Sequence, residues 1–361
     1  MEPKKYEYID GLRGVAILMV LIIHNYTTDG IYNGHVPFVI NSLLMYGRFG
    51  VQLFFLVSAF TLMLSHDSRL QEDHFTRNFY IRRIFRIVPM YYLALIYYSI
   101  DSIFISDCFT ELTNVKDIIW NDFFRNAAFL NNFYPNMLYY VPGGWSIVVE
   151  MSFYLFLPFI WKYINNINKL ILLLSVSLLV SVFFTYMFIR HFQSNLVWYF
   201  PNMFPIFLLG ISVYYITRKI KFVLNKWTLV LLLASLAFYA YAIPTEVFRC
   251  FLASFLLFLF VLIIYKKQYK IIANRYMAYV GKISYSMYII HFGVLYWLER
   301  LNFIHFIEFS NPATYMLNYV LRYVILLVLT ILLSHFTYQY CEKFFIRKGK
   351  QFILFLNNKT Y

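Results

Sequence analysis

Long apolar runs recur along this chain, and short polar segments separate them. Ten of these runs approach the roughly 20 residues that an α-helix needs to cross the hydrocarbon core of a bilayer. They cover residues 9–27, 43–65, 86–105, 146–164, 170–189, 201–217, 227–243, 248–265, 283–299 and 314–334. The pattern predicts an all-α polytopic membrane protein with about ten transmembrane helices.

The charges support this fold class and predict an orientation. Only 13% of the residues are charged, whereas a soluble domain carries about 25%. With an even number of spans and both termini in the cytoplasm, 23 of the 31 Lys and Arg residues fall in cytoplasmic segments, as the positive-inside rule expects. The net charge of +14 therefore indicates membrane topology and anionic lipid as a partner, and it gives no reason to expect nucleic-acid binding.

The chain offers little outside the membrane. The longest segments between spans are 66–85 on the inner side and 106–145 on the outer side, so we expect a single integral-membrane domain over residues 1–361 with no appended soluble domain. Cys108, Cys250 and Cys341 are far apart and form no Cys-x-x-Cys pair. Neither a disulfide framework nor a metal site is predicted.

Two ionisable residues interrupt the first apolar run. Arg13 and His24 are 11 residues apart, which on a helix returns to within about 20° of the same face at a separation of roughly 16 Å. Arg13 would lie near the cytoplasmic end and His24 in the outer half. One interpretation is that Arg13 pairs with Asp10 or snorkels to the headgroups while His24 hydrogen-bonds inside the bundle. The other is that both line a functional path.

More arginines stand at the inner end of the third span. The run "IRRIFRIVPMYY" contains Arg82, Arg83 and Arg86, of which the last two share a helix face. Such a cluster is often a topology anchor. The alternative is capture of an anion, because guanidinium groups bind phosphate oxygens bidentately.

A second polar layer is predicted in the outer half of the bundle. Glu150 lies about 7 Å below the Pro-Gly-Gly break that precedes Trp145, and Arg48 enters from the same side. His24, Arg48 and Glu150 could therefore meet, with the carboxylate fixing the imidazole as an acid–base pair. An Arg48–Glu150 ion pair joining two helices is the simpler alternative. Six further residues are assigned to the same polar path: Asp10, Trp145, Ser146, Ser284, Tyr288 and His291.

Six motifs in order carry a resemblance to a known family. They are "YIDGLRGVAILMVLIIH", "GVQLFFLVSAF", "RRIFRIVP", "WSIVVEMSFYLFLP", "FPIFLLG" and "GKISYSMYIIH". Over nearly its full length the chain resembles the membrane-bound acyltransferase 3 family, whose members have about ten spans. Ala59 stands where that family usually has Gly, and no Pro follows Glu342 in "CEKFF".

The resemblance implies transfer of an acyl group, commonly acetyl from acetyl-CoA, to a hydroxyl of a glycan or lipid-linked sugar in the bacterial inner membrane. It implies that the phosphates of acetyl-CoA bind to Arg13, Arg83 and Arg86, with Arg82 beside them. His24 would be the general base or a transient acyl carrier, Glu150 would orient it, and Arg48 would face the oxyanion.

Two other functions are compatible with the same residues. A sugar or ion permease also places Glu and His within its spans, and a structural partner of a glycan assembly complex would not need Arg13 or His24 at all.

Overall fold

The computed structural model describes residues 7–28, 36–104, 120–131, 139–191, 198–218, 226–303, 305–307 and 311–358. Within these ranges the regular secondary structure is helical and contains no strand. The helices are α1 Glu7–Thr27, α2 Phe38–Met45, α3 Gly50–Asp67, α4 Phe75–Phe104, α5 Trp120–Ala127, α6 Gly144–Tyr163, α7 Ile167–His191, α8 Phe200–Thr217, α9 Lys226–Ala242, α10 Thr245–Lys267, α11 Arg275–Lys282, α12 Ser284–Arg300, α13 Pro312–Thr337 and α14 Lys343–Asn358. A 3₁₀ turn at Tyr46–Phe49 joins α2 to α3, and a π-helical turn at Tyr338–Glu342 joins α13 to α14.

Each predicted span coincides with a helix, and the all-α prediction is confirmed for the described residues. Six helical segments among them are long and apolar enough to cross a membrane: Phe38–Asp67, Gly144–Tyr163, Ile167–Met187, Phe200–Thr217, Thr245–Lys267 and Pro312–Asn358. Of the remaining predicted spans, α9 and α12 have 17 residues each, while α1 and α4 carry charged residues within them. The count of ten and the cytoplasmic placement of both termini stay predictions. Residues 1–6 and 359–361, like Cys108, lie outside the described residues.

Helix α1 packs against α3, α11, α12 and α13, so its polar residues face other helices of the bundle. Glycines allow its closest approach, which is to α11. A Cβ at Gly281 would overlap the carbonyl oxygen of Asp10, and one at Gly11 would overlap the carbonyl oxygen of Ile272. The two backbones therefore touch directly at the inner end of α1, beside Arg13.

The N-terminal ends of α6 and α13 are defined by local backbone chemistry. Gly143 precedes α6 with φ at +71°, a left-handed conformation that glycine adopts without a steric cost. Asn311 caps α13 in a capping box with Thr314, and Pro312 occupies the first turn, where its missing N–H costs no hydrogen bond. These signals set the residue at which each helix begins, and Glu150 therefore lies in the second turn of α6.

Candidate active site

A buried cavity of about 90 Å³ lies where α1, α3, α4, α6 and α12 meet. Its polar lining comes from every one of those helices and combines cations, a carboxylate and hydroxyls. The lining residues that bear on function are Arg13, Ser58, Arg83, Arg86, Ser146, Glu150, Tyr154, Ser284, Tyr285 and Tyr288. Arg13, Arg83, Arg86 and Glu150 therefore line one cavity.

Three of the four arginines assigned to an anion line this cavity. Arg13 donates to Asp10 Oδ1 at 2.8 Å and to Thr61 Oγ1 at 3.1 Å. Arg13 thus forms the predicted ion pair with Asp10 and also lines the cavity. The guanidinium of Arg83 lies 5.7 Å from the ring centroid of Tyr154, and its buried Nε has no hydrogen-bond partner among the described residues. An anion in the cavity would satisfy that donor.

Arg82 has a different partner from the one expected. Its Nη1 lies 2.7 Å from Glu72 Oε1, in the segment between α3 and α4, and it is not among the residues that line the cavity. Burial alone would raise the pKa of Glu72, but hydrogen bonds from Arg82 and Asn78 outweigh that effect, so the pKa lies below its ordinary value. Arg82 is one position before Arg83 and points about 100° away around the helix. Its expected place beside the other arginines is wrong.

Glu150 is held by hydroxyl groups. It accepts from Ser58 Oγ at 2.7 Å and from Tyr154 Oη at 2.5 Å. Arg83 and Arg86 line the same cavity, so the carboxylate faces cations as well as hydroxyls. Ser58 and Tyr154 did not emerge from the sequence, although Tyr154 follows Glu150 by four residues and so lies on the same helix face.

His24 pairs with His291 rather than with Glu150. The distance from His24 Nδ1 to His291 Nε2 is 3.0 Å, and His291 Nδ1 lies 3.1 Å from the carbonyl oxygen of Met287. A carbonyl only accepts, so His291 Nδ1 carries its proton. His291 is fully buried, which favours the neutral ring, and its Nε2 is then an acceptor. His24 then donates from Nδ1, and in its neutral form the Nε2 of His24 carries no proton.

The predicted meeting of His24, Arg48 and Glu150 is therefore not observed. Arg48 Nη1 lies 3.9 Å from Glu246 Oε2, and its guanidinium lies 5.0 Å from the ring centroid of Phe49. Arg48 immediately precedes α3, whereas Glu246 is in the first turn of α10. Residue spacing along the chain did not predict the neighbour that each of these groups faces.

Tyr288 connects the cavity with the histidine pair. Its ring lines the cavity, and its centroid lies 5.7 Å from that of His291. The hydroxyl donates to the carbonyl oxygen of Gly143 at 3.0 Å and accepts from Ser146 Oγ at 2.7 Å. Ser284, one turn before Tyr288, also lines the cavity. Ser284, Tyr288 and His291, all assigned from the sequence to the polar path, thus extend along α12 from the cavity to the histidine pair.

Two of the residues assigned to the polar path lie at its ends. Asp10 is engaged with Arg13 at the inner end. Trp145, in the first turn of α6, stacks on Trp198 with ring centroids 5.8 Å apart. Among the described residues no cluster of three or more His, Cys, Asp or Glu side chains could hold a metal ion.

Similarity to known proteins indicates the reaction class. A family model described as an acyltransferase domain matches residues 6–338. The chain belongs to this acyltransferase family. The prediction of an acyltransferase is confirmed at this level, and the helices fit a multi-pass integral membrane protein.

Several proteins similar to this chain are named as acetyltransferases. It is 24% identical to the peptidoglycan O-acetyltransferase OatA of Listeria monocytogenes, over 80% of this chain and 49% of that protein. A Staphylococcus aureus protein named as a predicted O-acetyltransferase is 24% identical over 96% of the chain and 58% of its own length. A predicted acetyltransferase of the Acidianus two-tailed virus is 27% identical over 78% of the chain and 80% of its own length. The chain thus spans about half of the two bacterial relatives. No solved structure matches it.

Proposed function

We propose that this protein is a membrane O-acetyltransferase that takes acetyl from cytoplasmic acetyl-CoA and transfers it to a hydroxyl of a cell-surface glycan or lipid-linked sugar. Family membership and the O-acetyltransferase relatives support the reaction class. The name of the Listeria relative supports a cell-envelope glycan as the acceptor class. Because the donor is made in the cytoplasm, we place the protein in the bacterial inner membrane.

The proposed mechanism rests on a hydrogen-bond chain that runs from the carbonyl oxygen of Met287 through His291 to His24. It engages His24 through Nδ1, so that in the neutral ring Nε2 carries no proton, which is the state that a general base requires. In direct transfer, Nε2 removes the hydroxyl proton as the oxygen attacks the thioester carbonyl carbon. The C–S bond then breaks, and the imidazolium returns the proton to the leaving thiolate. If His24 instead carries the acyl group transiently, the same Nε2 is the nucleophile.

The arginine groups on α1 and α4 would bind the donor. Arg13, Arg83 and Arg86 present cationic donors in the cavity, and charge-assisted hydrogen bonds to phosphate are among the strongest available to a protein. A volume of about 90 Å³ holds only a few water molecules. The nucleotide would therefore bind on the cytoplasmic side of these arginines, and only the narrow pantetheine arm would continue past Glu150 and Tyr288 as side chains move aside.

The proposal is tested with purified protein, radiolabelled acetyl-CoA and cell-wall glycan. We expect label on the glycan with release of CoA, and a loss of roughly 10²–10⁴-fold in kcat for His24→Ala, the usual contribution of a general base. His335→Ala is the matched control, because that histidine is exposed on α13 and bonds to Tyr279. Wild-type transfer by inserted, folded His24→Ala protein would refute the mechanism. Absence of both label transfer and CoA release in the wild type would refute the enzyme and favour a permease.

A further inference from the structure

An arginine that the proposed chemistry does not use is completely buried in α13. Arg322 is 0% exposed, although a charged side chain inside a membrane-spanning helix is costly unless its donors are satisfied. Its Nε donates to Asn25 Oδ1 at 2.8 Å, and its guanidinium also donates to the carbonyl oxygen of Asn25. Arg322 therefore hydrogen-bonds to both the side chain and the backbone of Asn25, the residue that follows His24.

Two further hydrogen bonds join the same helices. Asn25 Nδ2 donates to the carbonyl oxygen of Tyr319 at 3.2 Å, and the Tyr319 hydroxyl donates to the carbonyl oxygen of Ile22 at 3.2 Å. We call Arg322, Tyr319 and Asn25 the α13 clamp. The clamp binds backbone carbonyls of α1 at residues 22 and 25, on both sides of His24 in the chain.

The clamp contacts the C-terminal turn of α1. Helix α1 ends at Thr27, and carbonyls in the last turn lack intrahelical donors and carry a partial negative charge. Thr28 caps the carbonyl of His24 through its N–H and its hydroxyl, while the guanidinium of Arg322 caps that of Asn25. The backbone around His24 is thus held by the guanidinium of Arg322 and by the hydroxyls of Thr28 and Tyr319.

We propose that Arg322 is a positioning residue for His24. By holding the last turn of α1, the clamp keeps His24 Nδ1 at 3.0 Å from His291 Nε2 and thereby aims His24 Nε2 at the reacting groups. Misplacement of a catalytic group by about 1 Å can cost 10²-fold in rate. This role rests on the proposed function, because it acts through His24. A purely structural anchor between α1 and α13 would stabilise the bundle without affecting the imidazole.

The decisive variant is Arg322→Lys. Lysine keeps the positive charge but lacks the planar fork that reaches both Asn25 oxygens. We expect kcat for acetyl transfer to fall about 10–100-fold while KM for acetyl-CoA changes less than about twofold. Arg13, the cavity arginine on α1, lies roughly 16 Å from His24 along the helix axis, and Arg83 and Arg86 are on a different helix, α4. Thr330→Val is the matched control. Thr330 is buried on the same helix, and its hydroxyl has no hydrogen-bond partner in the described part of the chain.

A double-variant comparison separates positioning from structure. If Arg322 acts through His24, adding Arg322→Lys to His24→Ala should cause no further loss of the residual activity. An equal fractional loss in both backgrounds would overturn the proposal, as would an unchanged kcat in the single variant. Wild-type activity of His24→Ala would instead refute the mechanism proposed above, whatever Arg322 does.

A second measurement does not depend on activity. In protein labelled with ¹⁵N-histidine, the His24 signals, assigned with His24→Ala, should report a ring protonated at Nδ1 in the wild type and a mixture of tautomers in Arg322→Lys. Identical His24 signals in both proteins would overturn the proposal. If Arg322→Lys fails to insert, Asn25→Ser removes the side-chain partner of the same hydrogen bond from α1 and is judged by the same outcomes.

Discussion

Neighbouring arginines on α4 have different partners. Arg82 is engaged by Glu72 outside the cavity, whereas Arg83 and Arg86 line it. The buried Nε of Arg83 has no partner among the described residues, so it is ready to bind an anionic ligand. Two adjacent residues of one helix thus belong to different environments: Arg82 to a partly buried ion pair outside the cavity and Arg83 to the candidate donor site.

This difference leads to a prediction for paired variants. Arg83→Gln should raise KM for acetyl-CoA about 10–100-fold, because a hydrogen bond to a charged group contributes roughly 1.5–3 kcal/mol. Arg82→Gln, the matched control, should change KM less than about threefold. Both values come from steady-state kinetics at fixed ionic strength. Equal increases for the two variants would mean that Arg82 also contacts the donor, contrary to its pairing with Glu72.

At the scale of elements, direct backbone contact between α1 and α11 positions Arg13. Gly281 of α11 leaves no room for a methyl group against the Asp10 carbonyl. By contrast, a Cβ at Gly293 of α12 would have its nearest neighbour, the Tyr98 hydroxyl, at 3.5 Å, which is an ordinary contact. The two glycines have different roles, although both lie within helices.

The contrast can be measured with one substitution at each site. Gly281→Ala should destabilise the protein by about 1–3 kcal/mol, as overpacking typically does, and lower Tm in detergent. Gly293→Ala should be neutral or slightly stabilising, because alanine favours the helix by up to about 1 kcal/mol. Thermal unfolding of the purified variants gives both values. A Gly281→Ala protein with wild-type Tm would show that α11 shifts away from α1 without cost.

At the scale of the whole molecule, the distribution of Lys and Arg predicts which loops face the cytoplasm. Tyr241, 90% exposed near the end of α9, lies at the predicted outer end of the span 227–243. Ile271, 80% exposed between α10 and α11, falls in a predicted inner one. These two residues therefore report on opposite sides of the membrane.

The topology is tested by single cysteines in a variant that lacks the three native ones. A membrane-impermeant maleimide added to intact cells should label Tyr241→Cys and leave Ile271→Cys unlabelled until the membrane is permeabilised. Labelling of both residues in intact cells, or of Ile271→Cys alone, would contradict an even number of spans with both termini in the cytoplasm.

Much of the architecture followed from the sequence because the bilayer restricts the choices. Backbone groups in hydrocarbon must be hydrogen-bonded within the segment, so a long apolar run forms a helix. Each of the ten predicted spans accordingly coincides with a helix of the structure. The separation of residues on one helix followed as well, since each residue adds 1.5 Å of rise. Arg13 lines the cavity, whereas His24, 11 residues further along α1, pairs with His291.

The partners of these residues were decided only by the tertiary structure. Depth leaves open the direction in which a side chain points and the order in which helices surround one another. His24 therefore meets His291 of α12 and not Glu150 of α6, and Arg48 faces Glu246 of α10. The sequence by itself determined the all-helical fold class and the family to which the motifs belong. Lateral helix packing, which depends on contacts between residues as far apart as 24 and 291, decided which ionisable groups form the site.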